Sequence, residues 1–218
     1  MKAIREKVEL PEGHSFRVLR WSKTLREVEC ILGPGRTQPV QGEGNHWHFH
    51  KEMELTLFTA GEGTRFVGDA IGTFAAGDLV LLGERLPHHW HTSGASGGLS
   101  IQWHFPESHP VWAFPENLEL RDLFKRAERG LHLRGRTAPA IAALMQDVAR
   151  SKGAGQLAAL LRLLAEVADA PESDLALLSS RSFTLSAESH YQKAISKSVQ
   201  HLVANFRDEI RLEDLLKI

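Results

Sequence analysis

Up to Pro110 the chain is broken into short apolar runs by turns that carry glycine, and this rhythm limits the fold more than any other feature. The turns are Gly33-Pro34-Gly35, Gly42-Glu43-Gly44, Gly61-Glu62-Gly63, Ala76-Gly77-Asp78 and the stretch 94–98. Between them lie 15–21, 26–32, 46–59, 64–67, 78–82, 88–92 and 99–105. Short runs closed off by chain-reversing residues predict strands, and this many of them predict a sandwich or a barrel. In 99–105, Ile101, Trp103 and Phe105 alternate with Gln102 and His104, the pattern of a strand buried on one face.

After Pro110 the glycines thin out and apolar residues take helical spacing. Leu118, Leu120, Leu123, Phe124 and Ala127 open this part. Ile141, Leu144, Met145 and Val148 follow at i, i+3, i+4, i+7, with Pro139 suited to a helix start. Leu157, Leu160, Leu161, Leu164 and Val167 repeat the stripe until Pro171, and 151–155 is the expected turn between the two helices. The expected organisation is a sandwich or barrel with N-terminal strands over 1–110, a helical region over 111–178, a serine-rich linker over 179–189 and a last segment over 190–218. The second stripe is wider than one domain edge needs, so the helix from about Gln156 to Ala168 is expected to join two copies into a homodimer.

Bulk properties exclude several classes. Met1 to Glu12 alternates charges without an apolar run, so no signal peptide is expected. No stretch approaches the ~20 apolar residues of a membrane helix. One cysteine, Cys30, rules out a disulfide within the chain and agrees with a reducing cytoplasm. A net charge of −1 offers no global attraction to nucleic acid.

The strongest chemical signal lies in the glycine-rich half, which holds seven of the 12 histidines between His46 and His104. Gly42, His48, His50, Glu54 and Gly61 fit the form G-x5-H-x-H-x3-E-x6-G. Residues two apart on a strand share a face, ~7 Å apart along it, so His48, His50 and Glu54 are expected to point to one side. Neutral imidazoles with one carboxylate suit zinc, iron, nickel or manganese rather than calcium. A fourth ligand would come from a neighbouring strand, and His88 enters one from the fixed turn at Pro87. The same residues would also serve as hydrogen-bonded pocket groups without an ion.

These two segments resemble the cupin superfamily over about residues 40–105. The first motif matches at every anchored position, and Gly77, Asp78 and His88 match the second. Ala75 replaces the usual proline, and Thr92 the usual asparagine. The resemblance implies a cupin-type double-stranded β-helix, a jelly-roll barrel, with a divalent metal held by His48, His50, Glu54 and His88. His46, His89, His91 and His104 are then surface residues or groups that orient the ligands. Trp47 belongs to the outer face. Arg65, Trp90, Gln102 and His104 are the expected contacts of an effector.

The C-terminal segment decides between a cupin enzyme and a cupin sensor. Val199, Leu202, Val203 and Phe206 share a helical face, followed by Asn205-Phe206-Arg207-Asp208-Glu209-Ile210 and a second run with Leu212, Leu215 and Leu216. This resembles the opening of an AraC-type helix-turn-helix domain, although Leu215 stands where alanine is usual. The barrel half adds wording frequent in one AraC subgroup: His46-Trp47-His48-Phe49-His50, Arg65-Phe66-Val67-Gly68-Asp69 and Leu86-Pro87-His88.

The resemblance implies a mainly β protein with α: barrel, helical region, and the start of a helix-turn-helix domain. Its function would be the ligand-sensing and dimerisation part of a DNA-binding transcriptional regulator, not an enzyme. The alternatives are a metal-dependent cupin enzyme, such as a dioxygenase or isomerase using the same four residues, or a metal-free cupin supporting dimerisation. A helix-turn-helix reads DNA through a recognition helix that these residues do not reach. From His190 onward Lys193, Lys197, Arg207, Arg211 and Lys217 face Asp208, Glu209, Glu213 and Asp214, a net of +1, too little to neutralise several phosphates. DNA binding is therefore expected only of a longer form, this chain being a fragment or a truncated relative.

Overall fold

The computed structural model of the chain describes residues 4–42, 44, 46–183, 192–211 and 213–214. Residues 184–189 of the expected linker, and Leu212, Leu215 and Leu216 of the expected second run, lie outside the described residues.

Thirteen strands form two sheets among the described residues. The smaller contains β1 (Ile4–Arg5), β5 (His48–Phe49), β10 (His88–Thr92), β7 (Gly63–Val67) and β8 (Ala70–Phe74), in that spatial order. The larger runs β13 (Leu175–Leu177), β12 (Leu131–Leu133), β9 (Leu79–Leu82), β6 (Met53–Ala60), β11 (Gly97–Trp103), β2 (Phe16–Trp21), β3 (Glu27–Gly33) and β4 (Arg36–Gln41). Every pairing is antiparallel except β1 with β5. The class is mainly β with α, as expected, in the two-sheet form of a jelly roll.

Side-chain alternation sorts the large sheet into two faces. Leu19 and Trp21 of β2, Phe58 of β6 and Val80 and Leu82 of β9 meet Val67, Phe74 and Trp90 of the small sheet in one apolar cluster. The opposite face, with Val18, Leu55, Leu81, Ile101 and Trp103, packs in a second cluster with the helices. These are α1 (Leu120–Ala127), α2 (Thr137–Arg150) and α3 (Gly153–Ala168). Strand β11 is therefore buried along its whole length, not on one face as its alternation suggests. Its inner face lines the barrel, and its outer face lies under the helices.

Among the strands that hydrophobic patterning missed, β4 and β8 are both sheet edges. An edge strand packs little, so β4 carries Arg36, Thr37 and Gln38 exposed, and Pro39 costs no ladder bond there. Ile71 of β8 is 66% exposed.

In α2, Ile141, Met145 and Val148 are buried as the spacing predicts. In α3 the buried set is Gln156, Leu160, Leu163, Leu164 and Val167, whereas Leu157 is 38% exposed and Leu161 only half-buried. Most of the stripe expected to join two copies is thus spent inside the chain. Gln156 also donates to Val148 O (3.2 Å), satisfying a carbonyl at the end of α2. Helix α3 starts at Gly153, so the turn before it is shorter than expected.

Within the expected helical region, β12 and β13 extend the large sheet beyond β9. Ser179 and Ser180 then hydrogen-bond Asp69 at the β7–β8 turn, so the chain leaves the barrel from a docked position. Helix α4 (Gln192–Asn205) ends in a turn that brings Phe206 5.5 Å from the Phe66 ring of β7. No helix among the described residues is long and apolar enough to cross a membrane.

Candidate metal centre

His48, His50, Glu54 and His88 meet between the two sheets, by a route the strand pattern did not anticipate. They do not share one strand face. His48 lies on β5 in the small sheet, the chain bends at residues 51–52, and Glu54 is already on β6 in the large sheet. The motif spans a barrel corner, so its side chains converge because the chain changes sheets. His88 stands directly opposite His48 in the β10–β5 register. The ring centroids are 4.2 Å apart for His48 and His88, 5.0 Å for His50 and His88, and 5.8 Å for His48 and His50.

The motif glycines sit where a side chain would clash, Gly61 at the end of β6 away from this corner. A Cβ at Gly42 would sit 2.1 Å from Leu25 O and 2.6 Å from Val28 Cγ2. Gly61 holds φ at +90°, and a Cβ there would meet Ser96 Cβ at 2.8 Å. Only glycine takes such a backbone without strain.

Hydrogen bonding sets the ring tautomers. The Nδ1–H of His48 donates to His46 O (2.8 Å), that of His50 to Glu52 O (2.9 Å) and that of His88 to Leu86 O (2.8 Å). Each neutral ring then presents the lone pair of Nε2. Donor atoms of the three rings lie within 4.8 Å of one another, and all three residues are at most 2% exposed. Glu54 Oε2 is 3.0 Å from His50 Nε2 and 4.0 Å from His88 Nε2. His88 Nε2 is buried with no hydrogen-bond partner among the described residues. Converging lone pairs and an orphaned buried nitrogen leave room in the chemistry for a cation, and backbone-anchored imidazoles are how metal-binding histidines are held. The residues fit a transition metal.

Electrostatics favour protonation of His50 over that of His48 and His88. Burial disfavours a charged His50, but the hydrogen bond and charge of Glu54, with the charges of Glu6 and Glu52, outweigh it and raise its pKa. Burial likewise works against an ionised Glu54, yet the hydrogen bond from His50 and the charges of His88 and His50 hold its carboxyl well below the usual range. Burial lowers His48, against the charge of Glu6. Burial, then the charge of His48, takes His88 well below the ordinary imidazole value.

Around the histidines runs a polar ring that sequence reasoning saw only in part. Glu54, Gln102 and Arg17 lie side by side on β6, β11 and β2. Gln102 donates to Glu54, Arg17 donates to Gln102, and Arg17 also donates to Glu6. Glu6 Oε2 closes the ring 3.4 Å from His48 Nε2. Thr56 donates to the other oxygen of Glu54. Glu6 and Arg17 were both missed. Arg17 had a signal, because it shares strand parity with the inward Leu19 and Trp21. Glu6 sits among alternating charges and had none.

Of the expected effector contacts, Trp90 and Gln102 line the cavity beside this site. Arg65 and His104 do not. The Arg65 guanidinium is taken up by both oxygens of Asp78 (2.5 and 2.6 Å), which His132 also approaches at 3.2 Å. This cluster ties β7 to β9 and β12, so the motif aspartate does structural work. His104 follows β11 into a surface groove, where it meets Glu84 at 3.1 Å. Among the other histidines, His89 is buried against Phe66 and lowered to about 4, by burial and then by the charges of His48 and His91. His91 is exposed, and Trp47 is half-buried.

No family model matches the sequence, and no curated protein does. Among solved structures the chain is similar to the AraC-like transcriptional activator CuxR, at 12% identity and a TM-score of 0.43, over 95% of this chain and 73% of that one. It is similar to ToxT from Vibrio cholerae at 12% identity and a TM-score of 0.37, over 93% of this chain and 70% of that one. A cupin 2 conserved barrel domain protein from Salinispora arenicola matches at 21% identity and a TM-score of 0.25, over 46% of this chain and 89% of that one. Likeness of this degree assigns no function.

Proposed function

We propose that this chain is the sensing part of a transcriptional regulator of the AraC type. Its barrel holds one divalent transition metal on His48, His50, Glu54 and His88, and receives a small-molecule effector in the adjoining cavity. The observation that carries the metal reading is the convergence of three buried imidazoles, each fixed by an Nδ1–H bond to a backbone carbonyl, with the Glu54 carboxylate 3.0 Å from His50 Nε2 and 4.0 Å from His88 Nε2. A bound ion would supply a fixed positive charge for an anionic or lone-pair group of the effector. The chain's own residues do the rest. The backbone carbonyls aim the rings, Thr56 and Gln102 hold Glu54, and Trp90 and Phe58 exclude water.

The regulator reading is supported by the AraC-like wording of both halves, and by a helix–turn in which α4 ends against the outer side of β7 and β10. On β10, Trp90 lines the cavity and His88 packs between it and His48, while His89 and His91 face Phe66 and Phe206. An effector would act by preferring one arrangement of α4 over another. We also propose that two copies pair through the outward edge of α3, at Leu157 and Leu161.

Elemental analysis of protein purified without chelators or metal-affinity resin tests the site. About one equivalent per chain is expected after adding zinc, nickel, manganese or iron, and His88→Ala should lose it. Failure of all four metals to bind removes the metal from the reading.

A further inference from the structure

We propose that Glu6 is an internal stand-in for the effector, which is a small carboxylic acid with an apolar body whose carboxylate replaces Glu6 on Arg17. This deepens the sensor reading of the barrel and does not depend on a bound metal.

The starting point is the charge of Arg17. Its side chain is 6% exposed, and a guanidinium does not shed its proton in a protein. A buried cation without an anion is strongly destabilising, so Arg17 needs a carboxylate at all times. Gln102, its other partner, is neutral and sits in the middle of the large sheet. The anion is Glu6, carried by the least anchored element of the barrel. Strand β1 is two residues long, lies at an edge, and is held to β5 by the pairings Ile4–His48 and Arg5–Phe49 and by Glu6 N donating to Phe49 O (3.0 Å).

The second observation is space. With Glu6 in place the cavity beside Arg17 measures about 50 Å³, room for a water and far short of the roughly 300 Å³ at which ligand pockets begin. Any effector must displace something, and the removable side chain that reaches Arg17 carries a carboxylate. An incoming acid restores the charge that Glu6 withdraws, whereas a neutral molecule leaves Arg17 buried and unpaired. Away from the polar ring of His48, Glu54, Thr56, Ser100 and Gln102, the wall is apolar, with Trp21, Leu25, Val28, Phe58 and Trp90, and takes the body of the ligand. Trp90 adds a buried Nε1–H with no hydrogen-bond partner among the described residues, a donor for a further oxygen.

The test titrates the full chain calorimetrically with acetate, phenylacetate and octanoate, and with phenylacetamide as the neutral counterpart of phenylacetate. Phenylacetate should bind the parent about tenfold or more tightly than the amide, the worth of a hydrogen-bonded charge. Glu6→Gln, nearly isosteric, should tighten the acids about tenfold by removing the internal competitor, and leave the amide unchanged. Equal affinity for acid and amide, or no binding of any of the three acids to Glu6→Gln, overturns the proposal. The titrations are run on zinc-loaded and on chelator-treated protein. Loss of the acid preference in both defeats this inference, whereas an acid preference in protein that binds no metal defeats the metal reading alone.

Discussion

Replacing Arg65 by methionine separates a structural arginine from an effector contact. In the structure its guanidinium reaches both oxygens of Asp78, and the two side chains are 7% and 6% exposed. Methionine keeps most of the volume but leaves the Asp78 carboxylate buried with one partner, His132 at 3.2 Å. Breaking a buried pair by removing one member costs about 3–5 kcal/mol. Because the His132 contact at 3.2 Å remains, the lower end applies, about 3 kcal/mol. For a chain of this size that lowers the melting temperature by roughly 6–12 °C.

Chemical denaturation of parent and Arg65→Met at pH 7 measures this as a shift in midpoint with an unchanged slope. Burial works against an ionised Asp78, but the hydrogen bonds from His132 and Arg65 and the charge of Arg65 outweigh it and lower its pKa. A lowered carboxyl pKa gives stability that is full above the unfolded value near ~3.9 and is lost as pH falls through the folded one. The parent should therefore lose stability below about pH 4, and the variant should show a smaller loss over the same window. A variant within 1 kcal/mol of the parent, with weakened effector binding instead, would refute the structural assignment and return Arg65 to the cavity.

Metal affinity should fall as pH drops through the raised pKa of His50, because the ion must displace the proton that Glu54 holds there. Zinc competition titrations at several pH values measure it, and a flat profile counts against His50 as a ligand. Gly61→Ala should destabilise by about 2 kcal/mol or more, since φ is +90° and the new Cβ would meet Ser96 Cβ at 2.8 Å; a urea midpoint equal to the parent's would show that the β6–β7 turn relaxes freely. Leu164→Asp places a charge at a site with no exposure and should prevent folding. Leu157→Asp should leave a folded monomer by sedimentation while the parent sediments as a dimer, and a parent that stays monomeric at high micromolar concentration ends the pairing proposal.

Much of the architecture was legible because it is local. Glycine turns and apolar runs marked the inner strands, and the 3.6-residue stripe marked α2 and α3, since a side chain's direction along a regular element follows from its position. The spacing of Gly42, His48, His50, Glu54 and Gly61 picked out side chains that do meet, even though the expected geometry, one strand face, was replaced by a corner between sheets. Arg65 and Arg17 show where that legibility stops. Both are arginines on barrel strands; parity with Leu19 and Trp21 marks Arg17 as inward, but nothing along the chain says that Arg65 meets Asp78 or that Arg17 meets Glu6.

Residue 17 meets Gln102 through the β2–β11 register, and Glu6 reaches Arg17 only because β1 adds to β5 in parallel, 44 positions away at the Ile4–His48 pairing. The same holds for α3, whose stripe is largely consumed by α1, α2 and the large sheet instead of by a second copy. Patterning along the chain determined which residues turn inward. Which inward residues meet was decided by strand register and layer packing, because ion pairing and burial depend on distances between segments that no local period encodes.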